Sequence, residues 1–242
     1  MITNDALEYS MFDFEAGGTI LIDKPFRWTS FHVVHKIRKA LGVKKVGHAG
    51  TLDPMATGLL IICTGKKTKE ISKYLELEKT YTGIITLGKI TPSMDLETEI
   101  IEEKSFNDIT EEKILKTKEE FTGEIFQTPP MYSAVKHKGK SLYKLAREGK
   151  TVEREPRKVF VSNFEITKIN LPDVFFEISC SKGTYIRAIA NDLGKNLGCG
   201  AVLSSLRRTK IGSYKVEDAL TIEEFRKRIK ARNIFNRNTY IP

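Results

Sequence analysis

At 242 residues, 40% hydrophobic and 29% charged, the chain is long enough to bury a sizeable core and ordinary in polarity for a protein in water. A formal net charge of +9 points to a polyanionic partner, most simply nucleic acid. No apolar run approaches the length of a membrane span, and three cysteines without a C-x-x-C pair or metal-ligand spacing argue against a cysteine metal site and fit a reducing cytoplasm.

Residues 1–17 read as an arm of mixed acids and aromatics ending in Gly17-Gly18. Thr19 to Asp23 reads as a short apolar strand closed by Lys24-Pro25. Thr29-Ser30 caps a helix in which Val33, Val34, Ile37 and Leu41 recur at helical spacing and Gly42 is the stop. A glycine-rich loop follows, and then a buried strand over Leu59 to Cys63. Lys79 to Leu87 alternates as a strand does, with Tyr81, Gly83, Ile85 and Leu87 on one side. Asp108 with Glu111 predicts a capping box for a helix running to Phe121. Ser141 predicts the cap of a short basic helix, and residues 158–168 and 174–181 predict a strand pair around Leu171-Pro172-Asp173. A helix is expected from Tyr185 to Asn196, a strand over Ile211 to Val216, and a last helix begun by Thr221 and Glu224. Strands and helices are interspersed without regular β-α-β spacing, so the fold class is α+β.

Charge is distributed in blocks. Residues 31–50 hold five Lys or Arg and no acid, and residues 136–158 hold nine against three Glu. Residues 95–120 hold ten acids against four Lys. The chain therefore has positive stretches suited to phosphates and a negative one turned from them.

The run Gly47-His48-Ala49-Gly50-Thr51-Leu52-Asp53-Pro54-Met55-Ala56-Thr57-Gly58-Leu59-Leu60 sets one carboxylate in a loop punctuated by glycine. Pro54 biases Asp53 towards an extended backbone. A loop Asp before proline ordinarily serves turn formation, so spacing alone does not assign it chemistry. The run resembles the catalytic motif of the tRNA pseudouridine synthases of the TruB type. That resemblance extends over roughly residues 18–215 and implies a large, mixed, mainly antiparallel sheet flanked by helices with a central catalytic cleft. It implies isomerisation of uridine to pseudouridine at position 55 in the T-loop of tRNA, with the base flipped out and no metal or other cofactor.

The same resemblance supplies residue roles. Asp53 is the catalytic residue, its carboxylate acting either as a nucleophile or as a base on the sugar. Tyr81, in Lys79-Thr80-Tyr81, stacks on the flipped base and is a candidate to handle the C5 proton. Arg187, in Gly183-Thr184-Tyr185-Ile186-Arg187, pairs with the catalytic Asp and keeps it ionised. Leu206, in Leu206-Arg207-Arg208, packs on the base, with both arginines near RNA phosphates. His48 inserts into the T-loop, where a filler ring offsets unstacking. Gly47, Thr51 and Lys79 join the substrate-binding set. Lys44, Lys45 and Lys136 take phosphates, which position the RNA without reading its sequence. Gln127 to Lys136, with Pro129-Pro130, forms a rigid wall beside the cleft.

The domain expectation is an arm over 1–17, a catalytic domain over 18–215 and a short basic extension over 216–242, in place of the PUA domain of many relatives. The expected partner is the T-arm stem-loop of tRNA, bound by a cytoplasmic monomer with no membrane contact and no obligatory protein partner. Two other classes fit part of the pattern: an RNA folding factor that opens and recloses the T-loop, and a DNA-binding domain that shares only the charge. Neither needs the carboxylate of Asp53.

Overall fold

The computed structural model describes residues 2–3 and 12–238; most of the expected N-terminal arm, residues 4–11, lies outside them. Its chain divides into two compact units, one made of the residues up to Lys79 and those from Arg207 onward, the other of Thr80–Leu206.

In the first unit, β1 (Thr19–Lys24) pairs antiparallel with β3 (Ala56–Thr64), and β2 (Val46–Ala49) pairs with the other end of β3. β1 and β3 read as continuous apolar runs because both faces are covered. Ile20, Ile22, Leu60 and Ile62 face one cluster with Val33, Val34 and Ile37 of α1 (Ser30–Leu41). Leu21, Leu59, Ile61 and Cys63 face the other, with Ile71 and Tyr74 of α2 (Ile71–Glu76) packed against it. The caps of α1 are those the sequence announced. Thr29 accepts from the His32 amide, and Gly42 turns left-handed at φ 70°. Ile2 adds a parallel bridge to Ile20.

In the second unit, β4 (Lys79–Leu87, of which Lys79 belongs to the first unit) is followed by the short pair β5 (Lys89–Ile90) and β6 (Glu102–Glu103). Next come α3 (Glu111–Lys118) and β7 (Gly123–Gln127). The hairpin β8 (Lys136–His137) and β9 (Lys140–Ser141) leads into α4 (Leu142–Arg147). β10 (Arg157–Asn170) and β11 (Asp173–Cys180) pair antiparallel around the turn at Pro172, and β7 pairs with β10 on its other edge. α5 (Ile186–Leu197) packs on α3. β12 (Ala201–Ile211) then runs from the second unit back into the first. There β13 (Tyr214–Lys215) pairs with its end, and α6 (Ile222–Asn238) packs on α1 and β1. Phe225 and Ile229 of α6 are buried with α1, which makes this helix part of the first unit's core; burial of side chains of this size contributes about 1.5–3 kcal/mol each.

The α+β class and the mainly antiparallel sheet flanked by helices are as expected. Four local expectations change. The N-cap of α3 is Thr110, whose hydroxyl accepts from the Lys113 amide, and Asp108 does not cap. Ser141 precedes α4 without a side-chain cap bond. Gly47 and His48 lie on β2 and not in a loop, because β3 offers its edge to them. The strand expected over Ile211 to Val216 is broken by a turn at Gly212, and β12 begins ten residues earlier. The Thr221–Glu224 box forms in full: the Thr221 amide donates to Glu224 at 2.8 Å, and the Glu224 amide donates to Thr221 at 3.2 Å.

Candidate active site

The loop between β2 and β3 carries Asp53, and its backbone is fixed at nearly every step. Gly50 and Gly58 bracket it at φ 91° and 104°, a region where a Cβ is disfavoured. A Cβ at Gly58 would strike the backbone of Arg208. Between the glycines, the Ser30 hydroxyl donates to the Leu52 carbonyl at 3.1 Å and accepts from the Leu52 amide at 2.9 Å. The Arg27 amide donates to the Pro54 carbonyl at 2.8 Å, and the Ala56 amide closes a turn onto the Asp53 carbonyl at 3.1 Å. The half-buried Asp53 carboxylate thus projects from a loop with little freedom to move, while Thr51 is exposed.

Two buried cations hold the loop: Arg208, expected from the sequence beside phosphates, and Lys24, to which the sequence assigned no role at the site. Arg208 is 1% exposed; its Nε donates to the Leu59 carbonyl at 2.8 Å and one Nη to the Gly50 carbonyl at 3.1 Å, so it ties both flanks together. This corrects the expectation of Arg208 beside phosphates. Lys24 is fully buried and donates to the carbonyls of Pro25 at 3.1 Å, Trp28 at 2.6 Å and Pro54 at 3.5 Å. Burial pushes its ammonium down to about 8; the Arg208 charge adds to that, while Asp53 and Asp23 oppose it. His48, half-buried on β2, is also pushed down, first by burial and then by Arg208, so its ring is neutral near pH 7.

Arg207 makes a two-pronged pair with Asp23, at 3.1 and 2.7 Å, and touches the Thr57 hydroxyl at 3.4 Å. Lys44 and Lys45 extend exposed just before β2, and Gly47 is half-buried on it. Lys79 is buried, with its ammonium on the carbonyls of Tyr74, Leu75 and Leu77, where it compensates the C-terminal end of α2. One unit therefore gathers Gly47, His48, Thr51, Asp53, Lys44, Lys45, Lys79 and Arg207.

Tyr81, Lys136, Arg187 and Leu206 belong to the other unit. Tyr81 is 9% exposed on β4, beside Thr80, whose hydroxyl meets that of Ser179 at 2.9 Å. Arg187 sits in the first turn of α5, where the helix dipole disfavours a cation. It is buried nonetheless, donating to the carbonyls of Ser93 and Tyr132 at 2.8 Å each, with its Nε 3.5 Å from the buried Asp95 carboxylate. The start of α5 is fixed by Gln127, which exchanges two hydrogen bonds with the backbone of Tyr185, at 3.1 and 2.9 Å. Leu206 is half-buried near the middle of β12, and Lys136 is exposed on β8. Among the described residues, no group of His, Cys, Asp and Glu is placed to hold a metal ion, and no helix is long and apolar enough to cross a membrane.

Comparison with known proteins identifies the family. Residues 38–186 match the family model of the TruB family pseudouridylate synthase N-terminal domain, and residues 187–238 match that of the tRNA pseudouridylate synthase B C-terminal domain. The chain is 51% identical to the tRNA pseudouridine synthase B of Opitutus terrae, over 86% of this chain and 87% of that protein. It is 50% identical to that of Flavobacterium johnsoniae, over 86% of this chain and 94% of that protein. A chain in the solved structure of a Cbf5-Nop10-Gar1 complex superposes with a TM-score of 0.70 at 33% identity, covering 88% of this chain. This chain spans about half of that longer one, 54% of its length. A carboxylate fixed in a glycine-bracketed loop, and two family models that together account for residues 38–238, lead to one conclusion: the chain belongs to the TruB family of pseudouridylate synthases.

Proposed function

We propose that this chain isomerises uridine to pseudouridine at position 55 in the T-loop of tRNA, with Asp53 as the catalytic residue. The observation that carries the reading is the immobilised Asp53 loop within a segment that matches the family. A fixed carboxylate suits a reaction that must act at one sugar carbon of a flipped nucleotide, because alignment lowers the barrier without further reorganisation.

The reaction breaks the N1–C1′ bond, turns the base, and forms the C5–C1′ bond; the C5 proton leaves and N1 regains one, so the product is an isomer. Asp53 starts it by attacking C1′ or by taking a proton from the sugar. Arg187 holds that carboxylate ionised, Tyr81 stacks on the detached base and Leu206 closes the pocket. The neutral His48 ring enters the loop vacated by the flipped base at no charge-desolvation cost. Lys44, Lys45, Lys136 and Arg207 take phosphates. Lys79 acts from its seat at the end of α2, where it fixes the approach to the strand of Tyr81.

Position is the finer part of the reading and is tested directly. A T-arm stem-loop transcript incubated with the protein is treated with carbodiimide and alkali, and reverse transcription is mapped. A single stop at the T-loop uridine supports the proposal; stops elsewhere, or none, contradict it.

A further inference from the structure

The approach to α1 carries aromatic side chains that the core does not use. Phe26 is 49% exposed and Phe31 is 69% exposed. Beside them the Trp28 and His32 rings stack at 4.1 Å with an interplanar angle of 5°. The cations lie over rings: Arg27 is 5.6 Å from the Phe26 centroid and Lys36 is 6.0 Å from that of Trp28. Single exposed aromatics are ordinary, but here Phe26 and Trp28 each carry a cation over the ring, and exposed Phe31 neighbours the stacked pair in the chain, with Trp28 seated against the core.

Three further observations identify what the patch would hold. Between Asp23 and Asp53 the sequence carries seven Lys or Arg and no acid, and of these Arg27, Lys36, Lys39, Lys44 and Lys45 are exposed while Lys24 is buried, so this segment presents exposed positive charge. It is also continuous with the Asp53 loop. The Arg27 amide donates to Pro54, Lys24 links the carbonyls of Trp28 and Pro54, and Ser30 clasps Leu52. Finally, Arg27 holds φ 62°, a conformation that favours glycine, so a side chain is kept there against backbone preference. Flat rings interleaved with cations, on a segment that carries no acid of its own, are the surface on which unpaired bases stack while their phosphates are neutralised.

We infer that Phe26 and Phe31 form a stacking platform for unpaired nucleotides of the substrate RNA beside the Asp53 loop, with Arg27, Lys36 and Lys39 taking their phosphates. The inference rests on the reading that Asp53 acts on RNA, and adds a binding surface to it.

The test compares the protein with its Phe26→Ala/Phe31→Ala double variant on a dye-labelled T-arm stem-loop. Both side chains are largely exposed, so the variant should melt with the parent. Trp28, the only tryptophan of the chain, adds an intrinsic signal that should change as RNA covers the patch. The platform predicts that Kd and KM rise about tenfold while kcat at saturating RNA stays within about twofold. Phe26→Tyr/Phe31→Tyr should restore both, because stacking is kept. A blunt RNA duplex should bind equally to parent and double variant. Unchanged stem-loop affinity in the double variant, or an equal loss on the duplex, would overturn the platform. A parent protein that binds the stem-loop but never forms pseudouridine would instead contradict the catalytic reading, and the Kd comparison would still decide the platform.

Discussion

Arg208 donates to the Gly50 carbonyl at 3.1 Å, at the start of the loop that carries Asp53, and it does so while 1% exposed. A buried guanidinium is tolerated because carbonyls absorb its donors, and here those carbonyls belong to the two flanks of one loop. Replacing Arg208 with Met should orphan the carbonyls of Gly50 and Leu59. The expected loss is about 2–4 kcal/mol in urea unfolding, with Arg208→Lys recovering part of it. Equal stability of Arg208→Met and the parent would mean that the clasp contributes nothing.

Ser30 gives a cleaner separation of position from stability. Ser30→Ala removes one hydroxyl and leaves the Leu52 amide and carbonyl without that partner, which should cost about 1–3 kcal/mol. Because Leu52 precedes Asp53, the lost restraint should appear in kcat more than in KM, by about tenfold or more in steady-state assays below the melting temperature. A rise in KM alone would place Ser30 in RNA binding.

Lys24 makes a pH prediction. The folded ammonium titrates near 8, against 10.5 for the free side chain, so between those values the unfolded chain holds a proton that the folded chain lacks. Stability then gains as pH rises through this window. The unfolding free energy of the parent, relative to that of Lys24→Met, should climb by about 3 kcal/mol from pH 7 to pH 10.5. Taking the difference between the two proteins cancels the opposing titration of Cys63, whose thiol burial pushes up to about 11. A flat difference would contradict the buried, charged state of Lys24.

At one phosphate each, Lys44, Lys45 and Lys136 together contribute a loss of stem-loop affinity on the order of 20- to 40-fold for a fourfold rise in salt, as their share of the whole salt dependence. Replacing any one with Gln should lower the slope of log Kd against log salt by a little under one. A slope that ignores all three substitutions would move the phosphate contacts elsewhere.

The sequence made the local devices legible and left the distant ones hidden. Thr29, Gly42 and the Thr221–Glu224 pair announce helix ends because a cap satisfies backbone groups within a few residues. β1 and β3 were visible as apolar runs. β2 was not: Gly47 and His48 have little strand preference, and β3 imposes the pairing on them. β12 was hidden because Ser204, Ser205, Arg207 and Arg208 interrupt its apolar pattern. Arg208 was expected beside phosphates for the same reason, since its partners Gly50 and Leu59 lie about 150 residues away in the chain. The Thr110 cap was missed for a nearer reason: Asp108 offered an equally good capping pattern two residues too early. The acid itself was legible, whereas the cations that fix its loop required the fold.

The central claim is that Asp53 drives isomerisation of a T-loop uridine, and the most direct test follows the hydrogen that the reaction must expel. A T-arm stem-loop carrying 5-tritiated uridine is incubated with the protein and with Asp53→Asn. The account predicts tritium release by the parent and none by Asp53→Asn, which should still bind the stem-loop with similar affinity. Release by both proteins, or binding without release by the parent on both stem-loop and full-length tRNA, would contradict it.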